Sequence, residues 1–162
     1  MIDVKKIQEE ILTLPKFDTQ IMLQGEYRGC DPFSGTGRIP HAQAEKYTVS
    51  LFDLPYINSL LERYKMYRSR VLILDPKKCY SYHQDPSFRI HIPVVTNPNS
   101  WLLIDEEVYK LNVGKAYLTN TKLKHTAINA DNEKRIHIVG CTKDSDVCYN
   151  DLQMMIEPVR EL

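Results

Sequence analysis

The chain has 162 residues, a length that suits one domain with a single core. Apolar residues make up 43% and charged residues 26%, an ordinary globular balance that excludes wholesale disorder. Lysine plus arginine equals aspartate plus glutamate, 21 against 21, so the strongly basic footprint of a nucleic-acid binder is missing and nucleic acid is an unexpected partner.

In chain order, the start (Met1 to Glu10) is broken by charge within a few residues, unlike a signal or transit peptide. Val4, Ile7, Ile11 and Leu14 recur at three- and four-residue spacing behind Asp3, predicting a helix over 3–14 with Asp3 as N-cap. Residues 25–46 hold Gly25, Gly29, Gly35, Gly37, Pro32 and Pro40 and read as a long, turn-rich loop. A second helix is predicted over 54–67, with Asp53 to cap it, Pro55 in its first turn, and Ile57, Leu60, Leu61 and Tyr64 as its apolar stripe.

From Arg70 onward the signal changes to strands. Val71–Leu74 ends at the turn Asp75-Pro76-Lys77-Lys78. Cys79–His83, Phe88–Val95, Trp101–Ile104, a segment near Val108–Leu111 and Ala116–Thr119 follow. His125–Asn129 and Arg135–Cys141 flank residues 130–134, which read as a hairpin loop. Short strands with no helix between them predict an antiparallel sandwich or barrel. No window reaches the length of a membrane span, and a cytoplasmic location is expected. Cys30, Cys79, Cys141 and Cys148 contain no C-x-x-C pair, so a zinc ribbon is excluded and free buried thiols are expected.

The sharpest chemical feature is Tyr82-His83-Gln84-Asp85. With one residue between them, His83 and Asp85 project from one side of an extended chain, or from its end, and can reach one metal. A distant histidine, His125 being the natural candidate, completes a set of two histidines and one carboxylate, which suits ferrous iron because it leaves coordination positions open. Taken alone, H-x-D is a weak signal and reads first as a polar pair near a turn. Arg135 lies across the expected hairpin from His125, where its planar fork suits a carboxylate; the bland alternative is a surface ion pair with Glu133 or Asp131. His137 shares the parity of Arg135, opposite Ile136 and Ile138. In Phe88-Arg89-Ile90-His91-Ile92-Pro93, Arg89 and His91 share one face and the isoleucines the other. The basic pair lines a cavity if the sheet closes around a site, and otherwise faces solvent.

Four blocks, Tyr-His-Gln-Asp-Pro, Arg-Ile-His-Ile-Pro-Val-Val-Thr-Asn, Lys-His-Thr-Ala-Ile-Asn and Lys-Arg-Ile-His-Ile-Val, stand in the order and spacing of the aspartyl/asparaginyl β-hydroxylases. The stretch from about residue 70 to 142 resembles that family of Fe(II)- and 2-oxoglutarate-dependent oxygenases. The resemblance implies a mainly β fold with flanking helices, a double-stranded β-helix (jelly-roll or cupin-like) barrel. It implies His83, Asp85 and His125 as the metal ligands, with Fe(II), O2 and 2-oxoglutarate as cofactor and cosubstrates. It implies Arg135 at the distal carboxylate of 2-oxoglutarate, and Arg89 and His91 assisting its other end. The vertebrate aspartyl hydroxylase lacks the carboxylate at Asp85, whereas bacterial and phage-type relatives, free-proline hydroxylases among them, keep it. A serine beside the oxoacid in the vertebrate enzyme has no match; Leu72 or Ile73 occupies that region.

The expected organisation is one oxygenase domain: a helical and loop part over 1–69, the β-helix core over 70–142, and an extension over 143–162 in which Met154-Met155-Ile156 closes the core. The expected activity is hydroxylation of an amino-acid side chain, in a polypeptide or as a free amino acid, releasing succinate and CO2. The competing readings are a metal-binding cupin without oxoacid chemistry, which leaves Arg135 unexplained, and a non-catalytic binding module. Trp101 is expected in the core, His41 exposed in the loop, and Tyr27 and Arg28 are candidate substrate contacts.

Overall fold

The computed structural model describes residues 1–147 and the backbone at 153–154; the expected closure by Met155 and Ile156 lies outside them. The N-terminal part runs α1 (Val4–Ile11), β1 (Gln20–Met22), β2 (Gln24–Gly25), α2 (His41–Ala44), β3 (Val49–Ser50) and α3 (Pro55–Arg63). Asp3 caps α1 as predicted, its Oδ1 accepting the Lys6 N–H at 3.2 Å. Asp53 does not cap α3: Leu54 holds the N-cap position with no side-chain bond. Glu10 of α1 does the work instead, accepting the N–H groups of Tyr56 at 2.7 Å and Ile57 at 2.8 Å through its two carboxylate oxygens. A partner from another helix thus satisfies the first-turn donors that a local cap was expected to take.

The eight strands that follow are β4 (Tyr67–Leu74), β5 (Lys78–Cys79), β6 (Phe88–Val95), β7 (Ser100–Ile104), β8 (Glu107–Tyr109), β9 (Tyr117–Thr119), β10 (His125–Asn129) and β11 (Arg135–Thr142). They divide between two antiparallel ladders, β4-β11-β6-β9 in one sheet and β5-β10-β7-β8 in the other. Along most of this stretch the chain crosses from one sheet to the other at each strand, which makes the fold a double-stranded β-helix. β1 extends the first sheet beyond β4, and β12 (Gln153–Met154) runs parallel to β9 at its other edge.

Strand alternation separates the layers. Ile90 and Ile92 of β6 and Ile138 of β11 are fully buried beneath α1 and α3, in one cluster with Ile7, Ile57 and Leu61. That cluster draws on the N-terminal part and the barrel alike, and β4 starts at Tyr67, so the expected boundary at residues 69–70 falls inside a strand. The opposite face of the same sheet looks toward the second sheet. There Leu74 and Tyr117 pack with Leu102, Ile104 and Ala127.

Two local features depart from the sequence expectation. Residues 130–134 are not a hairpin loop: β10 pairs with β5 and β7, β11 with β4 and β6, so the segment crosses between sheets. A five-residue interval between apolar strands is compatible with both connections, and the partners of β10 are remote in sequence. β4 also begins earlier than predicted, behind a β-bulge. The register slips between Tyr67↔Cys141 and Arg70↔Val139, leaving Arg68 and Ser69 opposite Gly140, and Arg68 takes a φ of 48°. Gln24 satisfies the distorted backbone: its Oε1 accepts from Ser69 N at 3.1 Å and Ser69 Oγ at 2.7 Å, and its Nε2 donates to Met66 O at 2.9 Å.

Asn129, fully buried, ties the turns at one end of the barrel. Its Nδ2 donates to Leu74 O at 3.0 Å, Asp75 O at 3.2 Å and Glu133 O at 2.7 Å, while its Oδ1 accepts from Asn97, Ser100 and Asp131. Asn129→Ala strands several buried partners at once, so it is expected to cost roughly 3 kcal/mol and to lower Tm by about 10 °C. Thermal unfolding followed by circular dichroism measures this, and a Tm within about 2 °C of the parent would show that solvent replaces the network.

Candidate metal centre and its cavity

The segment between β5 and β6 carries His83 and Asp85, and β10 opens with His125. Backbone pairing sets their relation: His83 N–H donates to His125 O at 3.0 Å, His125 N–H donates to His83 O at 2.8 Å, and Asp85 N–H donates to Thr121 O at 2.8 Å. The three side chains then turn to one point. His83 Nε2 stands 3.8 Å from Asp85 Oδ1 and His125 Nε2 stands 3.4 Å from Asp85 Oδ2. One donor atom from each residue lies within 4.8 Å of the others. Donors at right angles around an ion at ~2.1 Å stand about 3 Å apart, so a modest inward swing of the side chains closes on a single cation.

The tautomers support this. His83 Nδ1 lies 2.6 Å from Ser81 O and His125 Nδ1 2.9 Å from Leu123 O. A carbonyl only accepts, so each Nδ1 carries the proton and each Nε2 of a neutral ring is left as an acceptor. Two such acceptors face a carboxylate, and only a cation between them, a shared proton or a metal ion, relieves the contact. Burial pushes the Asp85 carboxyl up, but a proton shared with His125 and then the charge of Arg89 outweigh that and hold it below the ordinary carboxylate range. The donor set is therefore anionic, with two imidazoles beside it, a set that fits ferrous iron with positions to spare.

A cavity of about 360 Å³ opens from this point between the sheets. Arg135 lines it and is 2% exposed. The surface ion pair with Glu133 or Asp131 is therefore not what this residue makes. Among the described residues no carboxylate pairs with it, and its Nε is buried without a hydrogen-bond partner. Burial lowers its pKa to about 10, with Tyr80 acting the other way, so it remains cationic at neutral pH.

Arg89 and His91 are buried and turn inward, so the lined-cavity alternative for this face holds. Arg89 is already engaged: its Nε lies 3.2 Å from Asp85 Oδ2, and its Nη1 donates to Ser87 Oγ and Cys141 Sγ. It steadies the triad carboxylate, an arrangement that the expected contact with an oxoacid does not include. His91 Nδ1 meets His137 Nδ1 at 3.3 Å with the rings edge to face. Burial, then the charge of Arg135, holds both rings well below the ordinary imidazole pKa, so both are neutral.

Sequence reasoning missed Arg68 and Arg70, which also line the cavity. Two arginines before an apolar run read as a solvated strand start, and the bulge between Tyr67 and Arg70 hides where the strand begins. The glycine-rich loop contributes Arg38, Ile39 and His41 to the cavity rim, and His41 sits 3.3 Å from Glu45 as the first residue of α2. Tyr27 and Arg28 do not line the cavity; Tyr27 is 63% exposed. Trp101 is half-buried on the face of β7 turned from the core. Among the described cysteines, Cys30, Cys79 and Cys141 are free, and Cys79 is exposed rather than buried.

A family model described as aspartyl/asparaginyl beta-hydroxylase matches residues 4–141. No curated protein matches the chain. Among solved structures, salicylate 1,2-dioxygenase from Pseudaminobacter salicylatoxidans is similar over 46% of this chain and 21% of its own, at 17% identity and a TM-score of 0.41. A Cupin 2 conserved barrel domain protein from Salinispora arenicola is similar over 49% of this chain and 65% of its own, at 14% identity and a TM-score of 0.40. A cupin domain from Bordetella pertussis Tohama I covers 46% of this chain and 80% of its own, at 17% identity and a TM-score of 0.40. This chain thus spans about a fifth of the salicylate dioxygenase, and likenesses so distant carry no argument about chemistry. The family match begins at α1 and runs nearly to the end of β11, well beyond the stretch that the sequence blocks cover; the chain belongs to the aspartyl/asparaginyl β-hydroxylase family.

Proposed function

We propose that this chain is an Fe(II)- and 2-oxoglutarate-dependent hydroxylase of an amino-acid side chain, with His83, Asp85 and His125 as the metal ligands. The observation that carries the reading is the convergence of two Nδ1-anchored imidazoles and one carboxylate at the mouth of a cavity whose wall holds an unpaired, buried arginine. Iron held there supplies dioxygen activation coupled to oxidative decarboxylation of the oxoacid, giving succinate and CO2.

The protein's own groups do the positioning. Ser81 O and Leu123 O fix the two rings with Nε2 forward, and Arg89 holds the Asp85 carboxylate through its Nε. Arg135 offers a fork for the distal carboxylate of the oxoacid, where burial strengthens a charge-assisted pair. Arg89 and His91 stand on the same face for its other end. Leu72, Leu102, Ala127 and Val139 give the cavity apolar walls that exclude water from the reacting end. His83, with its side chain 39% exposed, lies on the side open to solvent. The substrate, a free amino acid or a residue of a polypeptide, enters there. No helix among the described residues is long and apolar enough to cross a membrane. The free thiols Cys30, Cys79 and Cys141 support a reducing, cytoplasmic setting as part of this reading.

Anaerobic calorimetric titration with Mn(II), as a redox-silent stand-in for Fe(II), is expected to show one site per chain. Asp85→Ala and His125→Ala should each weaken it at least tenfold while circular dichroism stays unchanged. Succinate formation with excess Fe(II) should fall as steeply in Asp85→Ala. Unaltered Mn(II) affinity in both variants would remove the triad from the metal site.

Arg135→Ala is expected to leave Mn(II) affinity unchanged and to weaken 2-oxoglutarate at least tenfold, since a buried charge-assisted contact is worth ~2–5 kcal/mol. Wild-type protein that binds Mn(II) but no oxoacid would instead mark an oxoacid-free cupin.

A further inference from the structure

The cavity contains more positive charge than the proposed cofactor and cosubstrate can balance. Arg38, Arg68, Arg70, Arg89 and Arg135 line it, and Asp85 is the one carboxylate among its lining residues. A divalent ion and a dianionic oxoacid cancel one another, and Asp85 cancels Arg89. Arg38 is exposed to solvent, so Arg135, Arg68 and Arg70 remain as buried charge. Arg68 spends its Nη2 on the carbonyls of Gly35 and Gly37, which pins the glycine-rich loop over the cavity. Arg70 is 8% exposed, its Nη1 donates to Gln20 Oε1 at 3.0 Å, and its Nε is buried with no partner. Burial, then the neighbouring charges of Arg68 and Arg89, lowers its pKa to about 10, which leaves it cationic. Among the described residues no carboxylate pairs with it.

Register places this charge away from the expected oxoacid anchor. On the cavity face Arg135 stands opposite Leu74, while Arg70 stands opposite Val139, and His91 flanks Val139 on the other side. The two rows are four residues apart along β11, roughly 13 Å at ~3.3 Å per residue. The carbon chain of 2-oxoglutarate has four bonds of about 1.5 Å and spans at most about 6 Å. The two side chains therefore start from different rows, and the Arg70 guanidinium is held toward β1 by Gln20 rather than toward Arg135 on β11.

We propose that Arg70, with Gln20 holding its guanidinium and Arg68 adding field, is the binding site for a carboxylate of the substrate. The inference rests on the oxygenase reading for the identity of that ligand as substrate, but the site itself does not need the metal. A neutral side chain cannot satisfy the buried Nε–H and the surplus charge together, whereas a carboxylate does both. Either of two sources presents that chemistry: the α-carboxylate of a free amino acid, or the side chain of an acidic residue in a peptide.

The test is anaerobic calorimetry on the full chain, with and without Mn(II) and 2-oxoglutarate, using free L-amino acids against their α-amides and an end-capped aspartyl residue against its asparaginyl counterpart. At least one acid is expected to bind tenfold or more tighter than its neutral partner; which pair shows the difference identifies the source. Arg70→Gln should abolish that preference and change 2-oxoglutarate affinity less than twofold. Arg70→Lys, which keeps the charge, should retain part of the preference and guards against reading misfolding as loss of a site. The proposal is overturned by equal binding of acids and neutral partners, by absence of binding across the panel, or by an acid preference that survives Arg70→Gln. It is equally overturned if Arg70→Gln weakens 2-oxoglutarate instead, which would place Arg70 at the oxoacid. Wild-type protein that ignores Mn(II) and 2-oxoglutarate yet prefers acids through Arg70 would sink the oxygenase reading and leave this site standing.

Discussion

The reciprocal backbone hydrogen bonds between His83 and His125 are the constraint on which the site depends. Neither residue lies inside a long ladder: β5 ends at Cys79 and β10 only begins at His125. The intervening segment is held by a short series of stitches, Tyr80 N–H to Ala127 O at 3.1 Å, Thr126 Oγ1 to Tyr80 O at 2.6 Å, and Asp85 N–H to Thr121 O at 2.8 Å. Because the pairing is main chain to main chain, it tolerates the unusual side chains it carries. Each imidazole is then oriented by the carbonyl two residues before it, so the ring geometry is a consequence of local backbone shape. A site built this way spends little entropy on ordering when a ligand arrives.

Such an interior works against stability. Among the described residues, Arg70 and Arg135 are buried cations without carboxylate partners, and His137 Nε2 is buried without a hydrogen bond. Desolvating a charge without a partner costs several kcal/mol, which the small apolar cluster of Leu74, Tyr117, Leu102, Ile104 and Ala127 on this face offsets only in part. The rest of the offset lies on the other face of the same strands. Ile90, Ile92 and Ile138, one residue away from Arg89, His91 and His137, sink into the helix layer with full burial. α1 and α3 are in this sense part of the site: without them the cavity-forming sheet has no apolar face to anchor it.

What was legible in the sequence, and what was not, follows the same division. His83-x-Asp85, the alternation in Phe88–Pro93 and the strand starting at His125 were readable because each is a local pattern with one physical meaning. The connection from Asn129 to Arg135 was not, since a hairpin and a crossover between sheets need the same few polar residues. Glu10 as the partner of α3 was invisible because its partners Tyr56 and Ile57 lie far along the chain. Arg68 and Arg70 went unnoticed for a different reason. A bulge with a positive φ at Arg68, corrected by the remote Gln24, leaves no trace in the strand's own periodicity, and two arginines before an apolar run look like a solvated strand start.

The same bulge explains how one small barrel keeps two cationic poles apart. Arg135 stands at the end of the cavity-facing sheet that Asn129 closes, Arg70 on the row nearer the bulge with His91 across Val139 in that same row, and His137 on the row between. Had those rings been protonated, four positive groups would stand in sequence along one wall. Burial and the charge of Arg135 instead keep both neutral, so a single proton can be shared between their facing Nδ1 atoms. A neutral imidazole pair adds no further positive charge to that wall. The cavity wall is therefore an alternation of charge and neutral spacer written along β11 and its neighbours, while the donors that converge on the metal position come from the segment before β6 and the start of β10. On the proposed reading, one strand set would define what the cavity accepts and the stitched segment where the metal sits.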